Sequence, residues 1–338
     1  MKNEALRKYS HEHLTPTEEQ RALISAIYSG VCGVLGGHRC RQIGSYPRFT
    51  AIRPPHDLDI LFRAGFSRDL SPDPSTAIGE IAKLLDENFV APEGLKSKIR
   101  IQSHSVSITL FRGTDEEFGV DIVPAWETGA KNEFDDDIFR VPELILKGHP
   151  ARQRKYERVT KGIDSISFIL TDPIGYIHMA EKVNERNDDF RRSTKCGKKW
   201  KHDSCEANEQ FKLKSFHLEQ IFTHYFRTNP DIGIYDALVK FFEELPDWIS
   251  HSQIPDRADP NRNIDAYVDD FTLEQRAIII GARDAFLERL GAYDGMQDAS
   301  VLFEPRAIAA RATSSGVTRA PAVISQGRSV EPRSPFGD

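Results

Sequence analysis

Gln42-Ile43-Gly44-Ser45 opens and His56-Asp57-Leu58-Asp59-Ile60-Leu61-Phe62 closes the stretch on which the reading of this chain turns. Glycine lets backbone N–H groups approach a phosphate closely, and a serine hydroxyl adds a donor without bulk. Pro47, Pro54 and Pro55 make the connection a loop. It leads, twelve residues after Ser45, to two carboxylates at i and i+2 in an apolar run. In a strand those positions share a face, so Asp57 and Asp59 point together. They repel unless a cation lies between them, and a divalent metal with nucleotide phosphates is the usual arrangement.

Asp121 supplies a third carboxylate, in the short apolar strand expected over Phe118-Gly119-Val120-Asp121-Ile122-Val123-Pro124-Ala125. A charge buried there needs a partner, and a metal shared with Asp57 and Asp59 provides one. Three such acids can hold two Mg²⁺ or Mn²⁺ ions roughly 3.5–4 Å apart, one activating a hydroxyl and the other neutralising a leaving pyrophosphate. Taken singly, an Asp-x-Asp pair is more often a strand end facing water, and Gly-Ser is a turn. The ordered combination carries the argument toward nucleotidyl transfer.

The 338 residues predict two domains. Residues 1–165 read as an α/β core with a mixed sheet. A helix over 15–30 is capped by Thr15 with Pro16 first, another spans 75–90, and strands cover 98–102 and 106–110. Residues 166–300 read as an α-helical bundle starting at Asp172-Pro173, with helices over 213–226, 234–245 and 273–290. Residues 301–338, rich in Ala, Ser, Arg, Pro and Gly, read as a disordered tail.

Hydrophobic residues make up 39% and charged ones 28%, with a net charge of −6. That balance disfavours a long nucleic-acid substrate. The absence of a long apolar run and of an apolar N-terminal region predicts a cytoplasmic protein with no membrane span. The four cysteines form no Cys-x-x-Cys pair and read as reduced thiols. The spacing of Cys196, His202 and Cys205 does not match a four-ligand zinc site. The basic cluster Arg191 to Lys201 reads first as a solvated face.

Gly44-Ser45, Asp57-x-Asp59 and Asp121 resemble the active site of the DNA polymerase β-type nucleotidyltransferase superfamily. Within it, the chain resembles the cGAS/DncV-like nucleotidyltransferases (CD-NTases). That resemblance rests on Lys212-Leu213-Lys214-Ser215-Phe216-His217-Leu218-Glu219, on Asp172-Pro173, and on Ile254-Pro255-Asp256-Arg257-Ala258-Asp259-Pro260-Asn261, over roughly residues 20–290.

The resemblance implies a polymerase-β-like core followed by a helical domain. It implies that Asp57, Asp59 and Asp121 are catalytic and hold two metals, and that Gln42, Gly44, Ser45, Lys198, Lys214, Ser215 and Phe216 bind nucleotide. Lys198 fits the lysine of the family's Lys-Trp pair through Lys198-Lys199-Trp200. The implied activity is synthesis of a cyclic di- or trinucleotide second messenger from nucleoside triphosphates, ATP or another, in bacterial anti-phage signalling. A regulatory protein would engage the C-terminal tail. The alternatives are a CCA-adding or poly(A)-type RNA nucleotidyltransferase and a catalytically silent nucleotide sensor.

Overall fold

The computed structural model describes residues 1–66, 74–144 and 167–304. Among them seven strands form one mixed sheet: β1 (Cys40–Ile43), β2 (Asp57–Phe66), β3 (Lys96–Ile101), β4 (Val106–Arg112), β5 (Asp115–Lys131), β6 (Asp137–Glu143) and β7 (Ser167–Thr171). The order is β1-β2-β5-β4-β3, with β6 on the distal half of β5 and β7 beyond it. Only β2 and β5 pair in parallel.

Strand alternation gives the sheet two apolar faces. Leu58, Ile60, Val120, Ile122, Val106 and Ile108 pack against α2 (Glu18–Leu35) and α3 (Pro74–Asn88). On the opposite face Ile43, Leu61, Val123 and Ala125 meet Ile174 and Ile177 of α4 (Pro173–Arg186). This second face carries the odd-numbered positions of β2 and β5, and therefore the aspartates.

The helical half continues through α5 (Asp189–Ala207), α6 (Ser215–Thr228), α7 (Ile234–Trp248) and α8 (Leu273–Ala292). Its core is aromatic, with Trp200 edge-on to Phe211, Phe241 and Phe242. Helices α5 and α6 meet at Gly197, where a β-carbon would come within 2.8 Å of Phe222. Asp172 caps α4 by accepting the Gly175 N–H (2.9 Å), and Pro173 begins the helix, as expected.

Several expectations shift. The cap of α2 is Thr17, not Thr15, because Thr17 and Gln20 complete a reciprocal capping box. The helix then runs through Gly30 and Gly33 to Leu35. An unexpected helix, α1 (Lys2–Tyr9), puts Leu6, Tyr9 and the following Leu14 into the helical-half core. The first residues thus pack away from the sheet half, contrary to the expected grouping of residues 1–165. Leu302 and Phe303 are buried in the same core, so residues 301–304 pack with the bundle rather than with a tail. The expected boundary at residues 165–166 and the rest of the tail, 305–338, lie outside the described residues. No described helix is long and apolar enough to cross a membrane.

Candidate active site

In the β2–β5 register Asp59 lies level with Asp121, and Asp57 with Gly119. Level residues on neighbouring strands project alike, so the three carboxylates share the face turned toward the helical half. Asp59 and Asp121 are only 5% and 3% exposed, whereas Asp57 is open to solvent. Burial, then the charges of Asp57 and Asp121, push the Asp59 carboxyl well above its ordinary range, against Arg48 and Lys198. Its Oδ1 is buried without a hydrogen-bond partner.

Gly44 ends β1 with φ +75°. A β-carbon there would fall 1.6 Å from Asp59 Oδ2, so only glycine fits this close approach. The following turn, 45–50, is closed by Thr50 N–H to the Ser45 carbonyl (3.0 Å) and Phe49 N–H to the Tyr46 carbonyl (3.0 Å). Ser45 thereby sits beside the aspartates at the start of a compact loop.

That loop is fastened to the helical half by charge. Arg48 Nε donates to Glu219 Oε1 (2.5 Å), and Thr50 Oγ1 donates to Glu219 Oε2 (2.8 Å). Lys198 Nζ donates to Glu219 Oε2 (2.7 Å) and to Thr50 Oγ1 (3.0 Å). All four residues are buried. Burial raises the Glu219 pKa, but Arg48 and Lys198 outweigh it and hold the carboxyl at about 2. Two of the three Lys198 donors are taken here, so the ammonium braces the joint between β1–β2 loop, α5 and α6.

Lys214, Ser215 and Phe216 come together at the N-terminal end of α6, all half-buried. Phe216 packs edge-on against Tyr176 (4.9 Å), with the Arg48 guanidinium over its ring (5.3 Å). Tyr267 accepts the Lys214 N–H (2.9 Å), pairs with His217 Nδ1 (2.9 Å), and lies under the Lys214 ammonium (4.4 Å). The loop Ile254 to Asn261 is tied to the start of α4 by Arg257 Nε on Asp172 Oδ2 (3.1 Å).

Gln42 belongs elsewhere. It lies level with Ile60 of β2, a core residue beneath α2 and α3, so alternation places it on the face away from the aspartates. The basic cluster is not a solvated face either. Ser193, Thr194, Lys198 and Lys201 are buried, and burial followed by the charges of Lys198 and Arg191 lowers Lys195 to about 8. Sequence reading gave no role to Arg48, Thr50, Glu219 or Tyr267. The signal for Glu219 was the one used for Asp121, a lone charge among apolar residues that demands a buried partner.

Cys196, His202 and Cys205 do not converge: Cys196 lies in the core and Cys205 Sγ donates to the Phe211 carbonyl. Among the described residues, His202, Asp203 and Glu206 bring ligand atoms within 4.8 Å of one another, but Asp203 is paired with Lys199 (2.5 Å). The aspartate set fits a hard divalent cation better. It offers only carboxylate oxygens, one of them buried and unbonded, and mutual repulsion that a cation would relieve.

No protein-family model and no curated protein matches the chain in sequence. Solved structures match it in fold. CdnC of Escherichia coli MS115-1 with ATP is 18% identical, at TM-score 0.62 over 90% of this chain and 95% of that one. The same protein in a complex with HORMA-deltaN is 19% identical, at 0.61 over 90% and 94%. The Elizabethkingia meningoseptica cyclic dinucleotide synthase CdnE, with GTP and Apcpp, is 14% identical, at 0.52 over 86% and 99%. The Bradyrhizobium diazoefficiens CD-NTase CdnG, with GTP, is 11% identical, at 0.56 over 86% and 91%. The architecture is thus a polymerase-β-like core followed by a helical domain. Within that class it is the fold of the cGAS/DncV-like nucleotidyltransferases.

Proposed function

We propose that the chain is a nucleotidyltransferase that joins nucleoside triphosphates into a cyclic di- or trinucleotide. The observation that carries this reading is the level pairing of Asp59 with Asp121, with Asp57 on the same face and Gly44 pressed against Asp59. CdnE, described as a cyclic dinucleotide synthase, and the nucleotide-bound CdnC and CdnG share the fold and support the substrate class.

Asp57, Asp59 and Asp121 would hold two Mg²⁺ or Mn²⁺ ions, which when bound supply activation of the attacking hydroxyl and neutralisation of the pyrophosphate. The Gly44-Ser45 turn presents a backbone and a hydroxyl to the donor triphosphate. Lys214 and Ser215 bring positive charge and a second hydroxyl from the end of α6, where the helix dipole favours an anion. Phe216, steadied by Tyr176, offers a ring edge and face to a base, a contact worth roughly 1–3 kcal/mol in comparable sites. Lys198 and Arg48 act one step back, setting the loop and α6 at a fixed spacing through Glu219. Catalysis on this account comes from positioning and charge neutralisation.

A protein partner is part of the proposal. CdnC, sharing this fold, is found in a complex with HORMA-deltaN, and residues 305–338 would serve this chain as a docking handle.

The test is incubation of the purified chain with all four labelled triphosphates and Mg²⁺ or Mn²⁺, then phosphatase treatment and mass spectrometry. A phosphatase-resistant small product that disappears in the Asp57→Ala/Asp59→Ala variant is expected. Label on added tRNA ends would favour an RNA-tailing enzyme, and inert nucleotide binding would favour a sensor.

A further inference from the structure

Strand β4 alternates apolar and polar residues through Val106-Ser107-Ile108-Thr109-Leu110, the pattern of a strand with one dry face and one wet face. Here neither face is wet. Val106, Ile108 and Leu110 belong to the core beneath α2 and α3, while on the opposite face Ser107 is fully buried and Thr109 is 2% exposed. A strand covered on both faces ordinarily carries apolar side chains on both, so solvation does not account for the serine.

Register supplies a reason. Ser107 lies level with Asp121, and Asp121 with Asp59, so one row crosses three strands on the face turned toward the helical half. Level residues of an antiparallel pair hold their β-carbons about 4.5–5.5 Å apart, which puts the Ser107 hydroxyl within reach of the Asp121 carboxylate and of an ion on it. That hydroxyl has no hydrogen-bond partner among the described residues, and neither has Asp59 Oδ1 at the other end of the row. A buried hydroxyl left unbonded costs stability, and two unbonded polar atoms flanking Asp121 mark a place where a ligand completes the bonding. We propose that Ser107 is a positioning residue for the cation site: its hydroxyl donates to the Asp121 carboxylate oxygen that the cation does not take, and so fixes the other oxygen on the ion. This rests on the assignment of Asp57, Asp59 and Asp121 as the metal set.

The donor chemistry suits the task. A carboxylate that gives one oxygen to a divalent ion leaves the second free to swing unless a donor holds it. A serine hydroxyl supplies one proton, turns about its C–O bond to meet the acceptor, and carries no charge, so it steadies the carboxylate without neutralising it. A lysine or arginine at the same position would compete with the cation for the negative charge. The next residue in the row, Arg100 of β3, does carry charge, but it is exposed and one strand further from Asp121.

Binding of Mn²⁺ alone to the full chain, read as loss of the free-ion signal in electron paramagnetic resonance, tests this without turnover. Ser107→Ala keeps the β-carbon and removes only the hydroxyl. It is expected to bind Mn²⁺ about 10-fold more weakly than wild type, the low end of what losing the hydrogen-bond partner of a metal ligand does. In EDTA it should melt at or above the wild-type temperature, because no bond is lost there. Ser107→Cys, a weaker donor of similar shape, should fall between the two in affinity. Thr109→Ala, on the same face but level with Gly119, should bind Mn²⁺ as the wild type does. Wild-type affinity in Ser107→Ala, with binding lost in Asp59→Asn, would overturn the proposal and leave the aspartate site standing. A lower melting temperature in EDTA with unchanged affinity would make Ser107 a structural residue only, and no Mn²⁺ binding by the wild type would remove the proposal and the metal set together.

Discussion

Gly44 lies so close over Asp59 that an added β-carbon would stand 1.6 Å from Oδ2 and 2.9 Å from the Asp59 β-carbon, both of them positions a neighbour cannot share. The glycine and the carboxylate therefore form one unit, held by β1–β2 pairing at Ile43 and Asp59. Replacing Gly44 with Ala forces Asp59 aside and strains a backbone at φ +75°. We expect destabilisation of about 1–3 kcal/mol by urea titration and loss of transferase turnover by about 100-fold or more, since a displacement near 1 Å has that effect. Activity at the wild-type level would contradict the contact.

Asp59→Asn separates stability from function. The carboxylate is buried beside two other acids, so removing its charge relieves repulsion and desolvation together. In EDTA the variant is expected to melt above the wild type, by about 1–3 kcal/mol in stability. Adding Mg²⁺ or Mn²⁺ should raise the wild-type melting temperature and leave that of Asp59→Asn nearly unmoved. A metal-induced shift equal in both proteins would place the cation elsewhere, with His202, Asp203 and Glu206 the next group to examine.

Glu219 neutralises two buried cations at once. Glu219→Ala leaves Arg48 and Lys198 without their shared partner and should lower stability by about 3–5 kcal/mol. Lys198→Met leaves Glu219 its bond to Arg48 and should be milder. Equal losses from both changes, measured by denaturant titration, would show that Lys198 carries the joint.

Acid should weaken the fold in two steps. His217 is buried, and burial followed by Lys214 pushes its pKa down from 6.5 to about 3. Glu219 falls from 4.5 to about 2. Both bind fewer protons folded than unfolded, so their contribution is complete above about pH 6.5 and declines as pH drops. His217 accounts for the loss beginning below 6.5 and Glu219 for that beginning below 4.5. His217→Gln should flatten the first step and Glu219→Gln the second in stability measured against pH; an unchanged profile in either would contradict the assignment.

Tyr267→Phe removes the acceptor for the Lys214 N–H and the partner of His217 while keeping the ring beneath the Lys214 ammonium. A loss of about 1–3 kcal/mol follows from the stranded groups. If Lys214 and Ser215 meet the triphosphate, KM should rise several-fold with kcat little changed. The reverse pattern would remove this helix end from substrate binding.

How much of this was legible in the chain depends on the range of each interaction. The Asp-x-Asp pair, Asp121 and the Gly-Ser turn are local patterns, and the sheet places them as alternation requires. Asp172-Pro173 likewise encodes its own helix start. What escaped is non-local. Nothing near Lys198 reveals that its partner is Glu219, twenty-one residues away in another helix. Helix α5 reads as polar because Thr194 and Lys198 are buried through side-chain bonding, to the Phe190 carbonyl and to Glu219, rather than through apolarity. Gln42 was placed by the family resemblance and not by strand phase, and one position of phase from Ile43 is enough to reverse a face. The N-terminal segment offers Leu6, Tyr9 and Leu14 as its buried anchors, a pattern that gains meaning from the aromatic core it meets.

The central claim is attack on an α-phosphorus with release of pyrophosphate, and paired labels on one nucleotide test it directly. The chain is incubated with ATP labelled at the α- or the γ-phosphorus, alongside the other triphosphates and Mg²⁺ or Mn²⁺. The account predicts α-label in a phosphatase-resistant product and γ-label in pyrophosphate, in equal amounts, with both lost in Asp121→Asn. Gamma-label appearing as orthophosphate while α-label stays in a nucleoside diphosphate would contradict it.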